Sequence, residues 1–147
     1  MRSGGLFVKH TALPDIRKTV IINASVARVW SAISTSAGIA GWWMDNTFQP
    51  GLGQEFILHA GPYGDSRCQV TEWEPMTRLG FDWDTDWHLT FELRDLGGNS
   101  TEFTLIHSGF DAEKSTAFGQ AHAVVRRIMD GGWEKIVGEK LPYYVDS

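Results

Sequence analysis

At 147 residues and 16.4 kDa, with 42% hydrophobic and 21% charged residues, the chain suits one globular domain with enough length to bury a core. A formal net charge of -5 excludes the basic face that a nucleic-acid partner requires. A single cysteine, Cys68, excludes an internal disulfide framework and a multi-cysteine metal site.

Residues 1–14, MRSGGLFVKHTALP, read as an N-terminal extension, and residues 15–147 as a single domain. The extension lacks the apolar run of an export signal, and no stretch is long enough to span a membrane. With a free thiol, this places the expected location in the cytoplasm.

The stretch IRKTVIINA, from Ile16, predicts a first strand in which Ile16, Val20 and Ile22 share a face interrupted by Lys18. Ser25 then stands as an N-cap before Val26, Val29, Trp30 and Ile33 at helical spacing. A short second helix or turn, Gly38 to Trp43, delivers the pair Trp42-Trp43, and Asp45 and Asn46 cap the turn that follows.

From Gly51 the pattern switches to alternation, with strands expected at 54–60, 67–74, 78–84, 87–94 and 101–108. The separators carry turn chemistry: Gly61-Pro62-Tyr63-Gly64, Glu74-Pro75-Met76-Thr77, Asp84-Thr85-Asp86 and Leu96-Gly97-Gly98-Asn99. Connections this short force antiparallel neighbours, hence a meander. Its apolar parity sets are Phe56 and Leu58; Leu79, Phe81 and Trp83; Leu89, Phe91 and Leu93; and Phe103, Leu105 and His107.

The last third predicts one long helix from Phe118 to Tyr143, roughly 39 Å at 1.5 Å per residue. Its apolar stripe is expected to include Ala121, Val125, Ile128, Met129, Trp133, Ile136, Val137 and Leu141. Gly132 falls on the same stripe, as a gap that either draws the sheet close or leaves room for a guest. The whole is an α+β fold, a curved antiparallel sheet around a long C-terminal α-helix, with two short helices after the first strand.

The ordered series VIINASVARVWSAI, GIAGWWM, FQPGLGQEF, QVTEWEPMTRLGFDW, LTFELRD, TEFTLIHSGF and GGWEKIVGEKL covers about Ile16 to Leu141. In that order the motifs resemble the START-like (SRPBCC) helix-grip superfamily, and within it the bacterial group similar to the C-terminal domain of the activator of heat-shock protein 90 ATPase. The resemblance implies a helix-grip fold that encloses an apolar cavity between sheet and long helix. It does not select one activity, since the superfamily spans carriers, cyclases, hydroxylase components and chaperone activators. The eukaryotic activator also carries a separate client-gripping domain, whereas only about fifteen residues precede the first strand here.

The ligand-binding candidates are Trp43, Phe56, Leu58, Trp83, Phe91, Phe103, His107 and Trp133. His107 is either a core histidine with one good hydrogen bond or a polar anchor for a guest; on an apolar face its neutral form is favoured. Cys68, with no histidine beside it, reads as a buried structural thiol. Asp84 and Asp86 read as turn residues, and His59, His88 and His122 lack metal-ligand spacing, so no metal, cofactor or catalytic group is expected. The function expected is binding of a hydrophobic or aromatic small molecule (a lipid, polyketide or related metabolite) by a monomer or weak dimer. The alternatives are a small cyclase- or hydrolase-type enzyme and a stress-related protein that contacts a chaperone.

Overall fold

In the computed structural model, which describes residues 11–61, 64–116 and 119–146, the alternating stretches become six strands. They are β1 (Ile16–Ile22), β2 (Glu55–His59), β3 (Asp65–Glu74), β4 (Arg78–Trp83), β5 (Trp87–Gly97) and β6 (Ser100–Ser108). They form one antiparallel sheet in the order β1-β6-β5-β4-β3-β2, so β2 to β6 are the expected meander and β1 joins its far edge. Ile16 lies opposite His107 and Ile22 opposite Thr101 in that last pairing. Register shifts after Val70 and after Asp95 mark irregularities of the kind that bend a sheet. Of the expected Gly61–Gly64 turn, Pro62 and Tyr63 lie outside the described residues.

Two capped helices follow β1. The Ser25 hydroxyl accepts the Arg28 N–H at 3.3 Å and opens α1 (Val26–Ile33). The Thr35 hydroxyl accepts the Gly38 N–H at 3.0 Å, so α2 (Ser36–Trp42) begins two residues before the expected Gly38. Asn46 then turns the chain toward β2: its amide donates to the Ser36 and Met44 carbonyls, and its oxygen accepts the Phe48 N–H at 2.9 Å.

The C-terminal helix is less uniform than its periodicity predicts. Phe118 lies outside the described residues, and α3 (His122–Lys135) starts at His122 without a side-chain cap. Residues 136–140 form a wider π-turn, in which the Leu141 N–H reaches the Ile136 carbonyl, before α4 (Leu141–Asp146). Pro142, inside α4, has no N–H to donate and crowds the turn before it, which explains a widening at this point. The extra residue also holds Val137 and Leu141 on the buried side below Trp133.

Two expectations about this helix are corrected. Ile128 is 64% exposed, and Gly132 is exposed, with nothing within 4 Å of where a Cβ would stand. The buried track runs through His122, Val125, Trp133 and Val137, and Gly132 lies one residue, about 100°, away from it. Gly132 therefore leaves no gap against the sheet.

Between sheet and helices the interior is closed by rings and branched chains. Trp42, Phe81, Phe91 and Phe103 are among its largest fully buried residues, and Trp42 meets the latter two edge-on at 5.7 and 6.5 Å. Lys18 reaches up from β1 to Asp130 and Glu134 of α3, each at 3.1 Å. On the outer face Arg78 donates to Glu72 and Glu92, and His88 contacts Asp82 and Glu72 at 2.9 and 3.2 Å.

Gly109, at the end of β6, has φ +96°, and a Cβ there would lie 2.0 Å from the Asp86 carbonyl oxygen. Only glycine lets the strand end close against the β4–β5 turn. Gly109→Ala is therefore expected to cost at least ~2 kcal/mol, whereas Gly132→Ala should stabilise by up to ~1 kcal/mol. Urea unfolding of the two variants checks both signs.

Candidate ligand cavity

The β4–β5 turn is fastened to β3. The Asp84 N–H donates to the Arg67 carbonyl at 2.7 Å, and the Asp84 carboxylate accepts the Arg67 N–H at 3.2 Å. Trp83 and Trp87 face each other across the register at either side of this turn, their rings 5.2 Å apart and near perpendicular. Residues 111–114 are laced in from the other side. The His122 N–H donates to the Lys114 carbonyl at 2.9 Å, the Asp111 N–H to His122 Nδ1 at 3.1 Å, and Lys114 Nζ to Asp86 at 2.9 Å.

Between this turn and α3 lies a cavity of about 410 Å³. Trp83, Trp87, Val125, Ile128 and Met129 make its apolar side; Ser66, Asp84, Thr85, Asp86, Gln120 and His122 make its polar side.

Behind Trp83 and Trp87 stands His107, fully buried. Its ring stacks on Trp83 at 5.1 Å and meets Trp87 at 5.1 Å and Phe110 at 4.5 Å. The Trp133 indole N–H donates to its Nδ1 at 3.0 Å, tying α3 to β6. Burial, and secondarily the charge of Arg126, lower the His107 pKa to about 3, so the ring is neutral. With Nδ1 accepting, the hydrogen is on Nε2. That N–H and the indole N–H groups of Trp83 and Trp87 are buried without a hydrogen-bond partner. Each such group costs about 1–3 kcal/mol, relieved in part where a neighbouring ring face accepts weakly.

The eight expected site residues divide into three groups. Trp83 lines the cavity. His107 and Trp133 stand directly behind it, and half-buried Trp43 touches Trp83 at 5.4 Å and Trp133 at 5.0 Å. Phe56, Leu58, Phe91 and Phe103 belong to the closed core: Phe56 packs on Phe48 and Phe81, and Phe91 on Phe103. The open space is thus at the end of the sheet near the β4–β5 turn, not beneath its middle.

Trp87, Asp86, His122, Val125, Ile128 and Met129 also line the wall and were not among the candidates. Trp87 had a signal, since it continues the inward parity of Leu89 and Phe91 by one step. His122 also had one, three residues before Val125 on the helix stripe. Cys68 is buried, and that burial pushes its thiol pKa up. Among the described residues no group of His, Cys, Asp and Glu could hold a metal ion, and no helix is long and apolar enough to cross a membrane.

Residues 23–146 match the family described as Activator of Hsp90 ATPase homolog 1-like protein. The chain belongs to that family. It is similar to protein BH1534 of Bacillus halodurans, with 43% identity, 92% of this chain and 99% of that chain covered, and a TM-score of 0.82. It is similar in fold to the Aha1 dimer of Colwellia psychrerythraea, at 18% identity, covering 85% of this chain and 91% of that one, with a TM-score of 0.67. It is also similar in fold to DynU16, from the dynemicin biosynthetic locus, at 21% identity, covering 92% of this chain and 48% of that one, with a TM-score of 0.73. At such identities the last two show the fold alone. No curated protein matches the chain.

The depressed His107 pKa makes stability depend on pH with a definite sign. The folded state takes up its proton near pH 3 and the unfolded chain near 6.5, so the stability of the neutral, buried ring is complete above 6.5 and is lost as pH falls toward 3. Within that window the unfolding free energy should drop by up to ~1.4 kcal/mol per pH unit from this group. His107→Gln, which keeps an acceptor for Trp133, should flatten the slope between about pH 6 and pH 4.5 in urea unfolding, above the range where carboxylates dominate.

Proposed function

We propose that the protein binds a flat, largely apolar small molecule (a polyketide-like or other aromatic metabolite, or a lipid) in the cavity between the β4–β5 turn and α3. The observation that carries this reading is the cavity itself: about 410 Å³, with two tryptophans and three aliphatic chains on one side and polar groups on the other. Ligand sites commonly occupy roughly 300–1,000 Å³ with this division of wall chemistry. Among the candidates, Trp83 meets the ligand; Trp43, His107 and Trp133 hold Trp83 in place. Phe56, Leu58, Phe91 and Phe103 support the scaffold.

Magnitudes set what binding requires. Burying about 300 Å² of apolar ligand surface yields roughly 7 kcal/mol, and association costs at least ~4 kcal/mol, so micromolar affinity requires one or two polar anchors. His107 is sealed behind rings and cannot supply acid–base catalysis to a guest in the cavity. We place the protein in the cytoplasm as a monomer or weak dimer.

The family description favours a second reading, contact with an Hsp90-type chaperone. Stimulation of a chaperone ATPase by the purified protein would support it, and an unchanged rate would remove it.

Under the first reading, bicyclic aromatic compounds should raise the melting temperature and quench tryptophan fluorescence. Ile128 is 64% exposed yet lines the cavity, so Ile128→Asp should change stability by no more than ~0.5 kcal/mol. It should nevertheless weaken binding about tenfold by placing a charge on the apolar wall. Failure of every such compound to shift melting or fluorescence would end this reading.

A further inference from the structure

The polar end of the cavity has a chemistry more specific than its volume. His122 Nδ1 accepts the Asp111 backbone N–H at 3.1 Å, so in the neutral ring the hydrogen sits on Nε2. Nε2 stands 3.7 Å from Asp86 Oδ2, beyond direct hydrogen-bond reach. Both residues line the cavity.

Neither group is free to wander. The His122 ring is 1% exposed and lies 5.6 Å from Trp87 and 6.2 Å from Phe110. Asp86 is engaged through its other oxygen, Oδ1, by Lys114 at 2.9 Å, so Oδ2 is the oxygen on the His122 side. A fixed donor and a fixed charged acceptor therefore stand side by side, next to a wall of rings and aliphatic chains.

We infer that this pair reads a hydroxyl group, and that the ligand is a hydroxylated aromatic, a phenol or an aryl alcohol. Its O–H donates to Asp86 Oδ2 while its oxygen accepts from His122 Nε2–H. A hydroxyl is donor and acceptor at a single atom, the complement of this pair. A carboxylate would bring its charge against Asp84 and Asp86, both on the wall. An ether or a hydrocarbon would strip water from Asp86 and return no hydrogen to it. An ammonium would oppose the His122 N–H and compete with Lys114 for Asp86. The inference rests on the ligand-binding reading above and adds the chemical class of the ligand.

The test is titration of the full chain with naphthol, methoxynaphthalene, naphthalene and naphthoate, followed by tryptophan fluorescence and by chemical shifts of the indole N–H groups. Naphthol is expected to bind roughly tenfold or more tightly than its methyl ether, the worth of one hydrogen bond to a charged group. Asp86→Asn, whose neutral amide oxygen is a weaker acceptor than the carboxylate, should cut that preference severalfold. Equal binding of naphthol and its ether by the unaltered protein, or tightest binding of naphthoate, overturns the hydroxyl reading and leaves the cavity reading standing. Binding of none of the four overturns the cavity reading and this inference with it. The comparison within the unaltered protein does not depend on how any variant folds.

Discussion

The hydrogen bond from the Trp133 indole to His107 Nδ1 joins the C-terminal helix to the sheet in the interior, where water cannot substitute for it. Removing either partner strands a buried donor or acceptor, a cost of about 1–3 kcal/mol on top of the lost ring packing. By contrast, the Lys18 pairs with Asp130 and Glu134 join the same helix to β1 at the surface, where such contacts contribute at most ~1 kcal/mol. The buried bond also sets the order of the rings around it. Trp133 touches Trp43 at the end of α2, His107 stacks on Trp83, and Trp87 closes on both His107 and Trp83. The two tryptophans that wall the cavity are thus propped from behind by a histidine whose own position depends on α3.

That dependence explains why the sheet was legible in the sequence and the cavity was not. Strand parity has a period of two, and the inward sets at Leu79–Trp83, Leu89–Leu93 and Phe103–His107 follow from it without knowledge of any other element. Turn residues then fix which strands pair. The helix face is harder to read. A stripe of apolar residues three and four apart is broad enough that Ile128 and Gly132 pass as members, yet the buried track excludes both. Its phase depends on where the helix starts and on the wide turn before Pro142, and neither is encoded in hydrophobic spacing. The position of the cavity depends in turn on that phase and on how residues 109–116 fold back over the sheet end. No local pattern reports a contact such as Asp111 to His122.

Asp86 shows how far a correct local reading extends. Tight turns favour aspartate because its carboxylate satisfies nearby backbone groups, yet Asp84 uses its carboxylate for the Arg67 N–H on the adjacent strand β3. Asp86 belongs to the same turn, but its carboxylate is directed to Lys114 and His122, which arrive from beyond β6. Identical chemistry two residues apart thus serves a bond to the neighbouring strand in one case and a bond to the segment after β6 in the other. Sequence separates them only when the third element is already placed.

The division of labour that results is a rigid interior carrying a loop-built end. The aromatic core from Trp42 to Phe103 is closed and interlocked, so a volume change there is felt throughout the fold. The cavity wall is drawn instead from the β4–β5 turn, from Thr116 and Gln120, and from the first two turns of α3, where Ile128 is already exposed. Substitutions in those segments can reshape the pocket while the Trp133–His107 bond and the core behind it stay intact. A fold arranged in this way can vary its cavity wall at the turn and at Ile128 without the cost of a new core, because those positions lie outside the interlocked rings.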